Sequence, residues 1–162
     1  MRKNILHTAL ILVAGLSLGA LSKLLDLYTT NLGNIFSELS IWILFGTILS
    51  IFSRSPKRAA VNVFVFCVGM LFAYYLTAVL TGGGYSKTFV TGWCLFTLFC
   101  PVFAWATWYT KEKGLFGRIV ALGILFVAPI SSVLLFDGPR VYDFIIEALL
   151  LYFLFFQKGR RP

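Results

Sequence analysis

The chain has 162 residues, of which 59% are hydrophobic and 17% aromatic, and only 12% are charged. Soluble domains carry about twice that charged fraction, and a soluble fold this apolar would expose aggregating patches. Membrane spans of ~20 residues fill the length and leave little chain for a separate catalytic or sensor domain. The net charge of +8 is scattered among apolar runs, with no basic face bearing exposed aromatics, so nucleic acid is not expected as a partner.

The first apolar run follows Arg2 and Lys3 and reaches Leu21. It is long for a secretory core, and Leu18 is not small where cleavage after Ala20 would require a small residue, so it reads as a retained first helix over residues 5–25. Gly15 and Gly19 form a GxxxG on it, with Ala14 and Ala20 beside them, which lets another helix approach closely within the bundle or from a partner. A weakly punctuated link through Thr29, Thr30 and Asn31, with room for a short interfacial helix, leads to a second span over 32–52. Glu38 is expected about one turn inside it, and Gly46 and Ser50 repeat the small-residue spacing. Residues 53–58 form a turn signal before a third span over 59–81, whose outer third holds Tyr74 and Tyr75. Gly82, Gly83 and Gly84 precede a fourth span over 88–110, with Trp93 in its outer third and Trp105, Trp108 and Tyr109 near the other end. The turn at 111–114 opens a fifth span over 117–136, in which Ser131 and Ser132 follow Pro129. Asp137, Gly138, Pro139 and Arg140 then lead to a sixth span over 141–157. The expectation is an all-α, polytopic integral membrane bundle of six transmembrane helices, a single domain over 1–162. Its short links make sequential helices antiparallel neighbours.

Basic residues give this bundle an orientation. Arg2, Lys3, Arg54, Lys57, Arg58, Lys111, Lys113, Arg118, Lys158, Arg160 and Arg161 fall on one side, against Lys23, Lys87 and Arg140 on the other. The positive-inside rule then puts both termini in the cytoplasm, as expected of a bacterial inner-membrane protein. The acids are biased the other way: Glu112 is inside, whereas Asp26, Glu38, Asp137, Asp143 and Glu147 lie toward the outside. Orientation does not require this second asymmetry, because acids contribute little to it.

Arg140, Asp143 and Glu147 follow one another at i, i+3 and i+7, one face of the last helix, and carry Glu147 into the apolar layer. A carboxylate at that depth is expensive against lipid, and is expected to face the bundle interior. It is satisfied there either by ion pairing and a neighbouring hydroxyl or by an outward-opening cavity. Lys23, Asp26, Glu38, Tyr74, Tyr75, Trp93, Ser131 and Ser132 offer matching groups at similar depth, and Asp26, Tyr74 and Trp93 join the stripe to outline a pocket for a small cationic or zwitterionic ligand. Enzyme signatures are missing. His7, the one histidine, lies near the other membrane face, and there is no HExxH or phosphate-binding glycine loop. Cys67, Cys94 and Cys100 have no metal-ligand spacing, so neither metal nor cofactor is expected. Asp26 opposite Asp143 is the carboxylate pair that an aspartyl-type membrane hydrolase would use, with no motif to support it.

Six helices, cytoplasmic termini, this length and an outer-side polar pocket resemble the S components of energy-coupling-factor vitamin transporters, across the whole chain and in architecture. That family's docking pattern on helix one is Ala-x-x-x-Ala, and here Gly15-x-x-x-Gly19 stands nearest to it. The resemblance implies a subunit that captures a micronutrient from outside and docks on a membrane coupling subunit served by separate ATPases. Residues 53–75 also resemble a segment of uncharacterised bacterial membrane proteins. Two readings follow: a substrate-binding transport subunit, or a non-catalytic membrane partner that assembles with or protects another membrane complex.

Overall fold

The computed structural model describes residues 2–29, 35–36, 38–112, 114–135, 138 and 140–156. The expected start of the second span at residue 32 lies outside them, as do Asn31, Lys113, Asp137, Pro139, Lys158, Arg160 and Arg161. The helices are α1 (Arg2–Tyr28), α2 (Leu39–Ile51), α3 (Pro56–Leu80), α4 (Lys87–Trp108), α5 (Leu115–Leu135) and α6 (Val141–Leu151). A 3-10 turn (Tyr109–Lys111) extends α4, and a π-helical turn (Tyr152–Phe156) extends α6. No strand occurs among the described residues.

Among the described residues, four helices are long and apolar enough to cross a membrane: those over Ile5–Tyr28, Pro56–Leu80, Lys87–Lys111 and Leu115–Leu134. Each is apolar around most of its circumference, the pattern of a helix surrounded by lipid and protein rather than half in water. Phe126 is 66% exposed and Leu134 76%, with Phe89, Leu98 and Phe99 similarly outward. Such a surface suits acyl chains. The second element departs from expectation. α2 has 13 residues, about 20 Å at 1.5 Å per residue, against a hydrocarbon core of about 30 Å. Glu38, expected a turn inside, precedes it with extended backbone (φ −84°, ψ 146°).

The turns explain where helices begin and end. Pro56 occupies the first position of α3, where its missing N–H is harmless, and the Ser55 hydroxyl accepts the Arg58 N–H at 3.3 Å. α3 stops because Gly82 takes φ +66°, a left-handed cap that β-carbon-bearing residues avoid. Pro101 and Pro129 both sit inside helices. Below Pro129, the Ser131 and Ser132 hydroxyls turn back to the Ala128 carbonyl at 2.7 and 3.5 Å.

The chain forms two compact units, one of residues 1–37 and 61–101, the other of residues 38–60 and 102–162. In the first, α1 meets α3 backbone to backbone. A β-carbon at Gly15 would come within 2.5 Å of the Phe66 carbonyl oxygen, and one at Gly19 would overlap the Met70 carbonyl. From the other side, Gly69 of α3 lies against Leu12. Of the two uses read for Gly15 and Gly19, intramolecular packing or partner packing, the geometry has them packing inside the chain. Met70 is fully buried in this unit, and the free thiols of Cys67 and Cys100 meet at 3.7 Å across α3 and α4. In the second unit, α2, α5 and α6 each pack against the other two. Ile51 and Leu150 are its largest fully buried apolar side chains.

Candidate functional site

The first unit gathers polar groups where α1 ends. Lys23 is buried and its ammonium reaches Asp26 at 2.8 Å, one turn along the same helix face. The same nitrogen donates to the Gly84 carbonyl at 3.3 Å and stands 5.2 Å from the centre of the Tyr74 ring. Tyr74 in turn donates its hydroxyl to Asp26 at 3.1 Å. The lysine thus has carboxylate, carbonyl and ring partners together. Such a buried cation holds α1, α3 and the glycine turn in one arrangement.

The second unit builds a denser network where α2 and α6 begin and α5 ends. Asp143 is 6% exposed and takes donors from three elements. Ser40 of α2 and Ser132 of α5 each donate to its Oδ1 at 3.0 Å, and the Arg140 backbone N–H donates to its Oδ2 at 2.8 Å. That last bond joins the third residue of α6 back to the residue before the helix, half of a capping box, and satisfies a donor that α6 itself cannot. Next to it, the Tyr142 hydroxyl donates to Glu38 Oε1 at 2.5 Å while accepting from the Arg140 guanidinium at 2.8 Å. Arg140 also pairs with the same Glu38 oxygen at 3.3 Å.

Glu38 is 0% exposed, and its second oxygen, Oε2, has no hydrogen-bond donor among the described residues. The Asp143 carboxyl is a neighbour. A buried carboxylate oxygen left bare is costly, so Oε2 requires a donor from a bound molecule or a proton on the carboxyl itself. Arg140 faces outward from the network, its side chain 40% exposed.

The residues expected to line one pocket are drawn from both units. Asp26 and Tyr74 belong to the first cluster, and Arg140 and Asp143 to the second. Trp93, in the first unit, packs edge-on against Phe96 with ring centres 5.8 Å apart. Glu147 is half-buried, one turn below Asp143, and joins no hydrogen bond or ion pair among the described residues. The three-residue stripe is shortened too, because Arg140 has extended backbone outside α6 (φ −111°, ψ 167°). Sequence reasoning left Ser40 and Tyr142 out of the site, and counted Glu38 among the groups at matching depth but not among the pocket walls. Glu38 did stand among the outer acids, which was the available signal. Nothing local marks Ser40 or Tyr142, whose partners lie more than 100 residues away in sequence or outside helical spacing.

Fold and site together define an all-helical protein with a membrane-type apolar surface and buried ionic networks at its helix ends. Residues 1–146 match the family described as "Family of unknown function (DUF6518)", and the chain belongs to that family. Nothing among curated proteins and nothing among solved structures matches it.

Proposed function

We propose that the chain is a six-span subunit of a bacterial inner membrane that captures a small cationic or zwitterionic molecule from the outer side for transport. Glu38 Oε2 carries this reading: a fully buried carboxylate oxygen without a donor among the described residues, beside a guanidinium that faces outward. A ligand ammonium would supply that donor, and Arg140 would take an anionic group on the same molecule. The basic-residue asymmetry supports the orientation, with both termini cytoplasmic. α2 and the helical stretch 141–156 supply the two shorter spans. The sequence carries no phosphate-binding loop, so transport energy would come from a coupling subunit with its own ATPases, as the resemblance to S components implies.

Native mass spectrometry of the detergent-purified protein tests this. A small-molecule adduct is expected on the wild type and not on Glu38→Gln, whose amide brings its own donor to the Oε2 position. A bare wild type, or an adduct indifferent to the substitution, overturns the reading.

A second reading has its own support. Asp143 accepts from Ser40, Ser132 and the Arg140 backbone, and Lys23 and Tyr74 both donate to Asp26. Networks satisfied in this way hold a fold rather than a ligand, as befits an assembly or protection partner of another membrane complex. Under this reading the purified protein retains a stoichiometric protein and no small molecule.

A further inference from the structure

The opposite end of the second unit, a helix length of α2 away from Glu38, holds a cavity of about 250 Å³. One part of its wall is charged: Lys111 and Glu112 at the end of the α4 extension, and Arg118 in the first turn of α5. The other part is apolar, from Ile51 of α2 and from Leu154 and Phe155 of the π-helical turn. Lys111 is anchored, donating to the Ser53 carbonyl at 3.3 Å with its ammonium 5.6 Å from the Trp108 ring centre. The side chains of Arg118 and Glu112 have no hydrogen-bond or ion-pair partner among the described residues. The first backbone N–H groups of α5 add partial positive charge on the same side.

Two cations, one anion and a greasy wall are the complement of a zwitterionic amphiphile. We propose that this cavity seats the headgroup of an amine-bearing membrane phospholipid, its phosphate between Lys111 and Arg118 and its ammonium at Glu112. Size agrees with this, because the cavity is smaller than the about 300–1,000 Å³ of pockets that enclose drug-sized ligands. It suits a headgroup, while the acyl chains run outside along Phe155 and Phe156, which are both exposed. Arg118, Lys111 and the aromatic Trp108 and Tyr109 form the kind of basic, belt-lined end where helix bundles meet headgroups. The site is independent of the Glu38 network and of the function proposed for it.

Detergent-purified wild type, Arg118→Gln, Arg118→Lys and Glu112→Gln are titrated in native mass spectrometry with phosphatidylethanolamine, phosphatidylglycerol, O-phosphoethanolamine and inorganic phosphate. Arg118→Gln is expected to weaken both lipids about tenfold, the size of one charge-assisted bond, with Arg118→Lys in between. Glu112→Gln is expected to abolish the preference for phosphatidylethanolamine over phosphatidylglycerol. All three side-chain changes are at exposed positions without partners among the described residues, and unchanged melting temperatures show that folding is intact. Equal retention of both lipids by the wild type, or retention unchanged in Arg118→Gln, overturns the proposal. So does binding of O-phosphoethanolamine or phosphate as tight as that of the lipid, which would assign the cavity to a water-soluble phosphate.

Discussion

Asp143 accepts hydrogen bonds from three elements of the second unit's network, and its two oxygens are not equivalent. Oδ1 accepts from two serine hydroxyls, whereas Oδ2 accepts from a backbone N–H that has no other acceptor among the described residues. Asp143→Asn can keep the serine bonds with its carbonyl oxygen, but its NH2 then meets the Arg140 N–H, donor against donor. Asp143→Ala loses all three bonds. The melting temperature in detergent is therefore expected to fall in the order wild type, Asn, Ala, with each lost bond to the carboxylate worth about 1.5–3 kcal/mol. Tyr142→Phe removes the hydroxyl that relays between Arg140 and Glu38. It is expected to destabilise by a similar ~1.5–3 kcal/mol, because Glu38 Oε1 keeps only the longer arginine contact. A Tyr142→Phe protein as stable as wild type would show that the relay carries no weight. The Arg140–Tyr142 contact also shows why residue spacing misled: side chains two apart do not meet on a helix. They meet here because Arg140 precedes α6 in extended conformation, which helical periodicity does not describe.

At the scale of single elements, glycines divide into those a neighbour has claimed and those it has not. Gly19 of α1 touches the Met70 carbonyl, whereas a β-carbon on Gly92 of α4 or Gly123 of α5 would meet nothing within 4 Å. Gly19→Ala is expected to push α1 from α3 and lower the melting temperature. Gly92→Ala and Gly123→Ala, relieved of glycine's entropy cost in a helix, are expected to raise stability by about 0.5–1 kcal/mol each. Equal effects at the three sites would refute the close α1–α3 contact. Element boundaries were legible in the sequence wherever glycine, proline or a charge cluster punctuated an apolar run. Expected spans over 59–81, 88–110 and 117–136 became helices Pro56–Leu80, Lys87–Trp108 and Leu115–Leu135. The expected span over 32–52 opens on the weakly punctuated link through Thr29, Thr30 and Asn31, and hydropathy alone does not delimit a helix there. That is why the N-terminal limit of α2, at Leu39, was missed. The site was legible only in its local half. Arg140 with Asp143 and Lys23 near Asp26 follow from spacing, but Glu38 with Tyr142 and Asp26 with Tyr74 are made by packing across long sequence separation.

For the molecule as a whole, the outward-facing phenylalanines and leucines require a lipid surround, and the proposed orientation makes a definite prediction about its two faces. On a background with Cys67, Cys94 and Cys100 replaced by alanine, Gly84→Cys in intact cells is expected to react with a membrane-impermeant thiol reagent. Arg54→Cys is expected to react only after the cells are opened, and Lys57 and Arg58 keep the positive charge of its loop. Both positions suit the test: a β-carbon at Gly84 meets nothing within 4 Å, and Arg54 is exposed. The reverse labelling pattern would invert the topology, and with it the side from which Glu38 is reached.

The brevity of α2 bears on the surrounding bilayer. A helix of about 20 Å packed against one of about 32 Å, the length of α5, cannot match a uniform apolar slab at both ends. Lipids next to the second unit must compress, or water and headgroups must dip toward Glu38, and either adjustment costs fractions of a kcal/mol per Å. Acyl-chain length thus becomes a variable acting on the buried network from outside the protein. In vesicles of short-chain phosphatidylcholine the unfolding temperature is expected to exceed that in long-chain vesicles, and Glu38→Leu, which welcomes a thicker apolar layer, is expected to narrow the difference. Membrane thickness would then select where this chain is most stable.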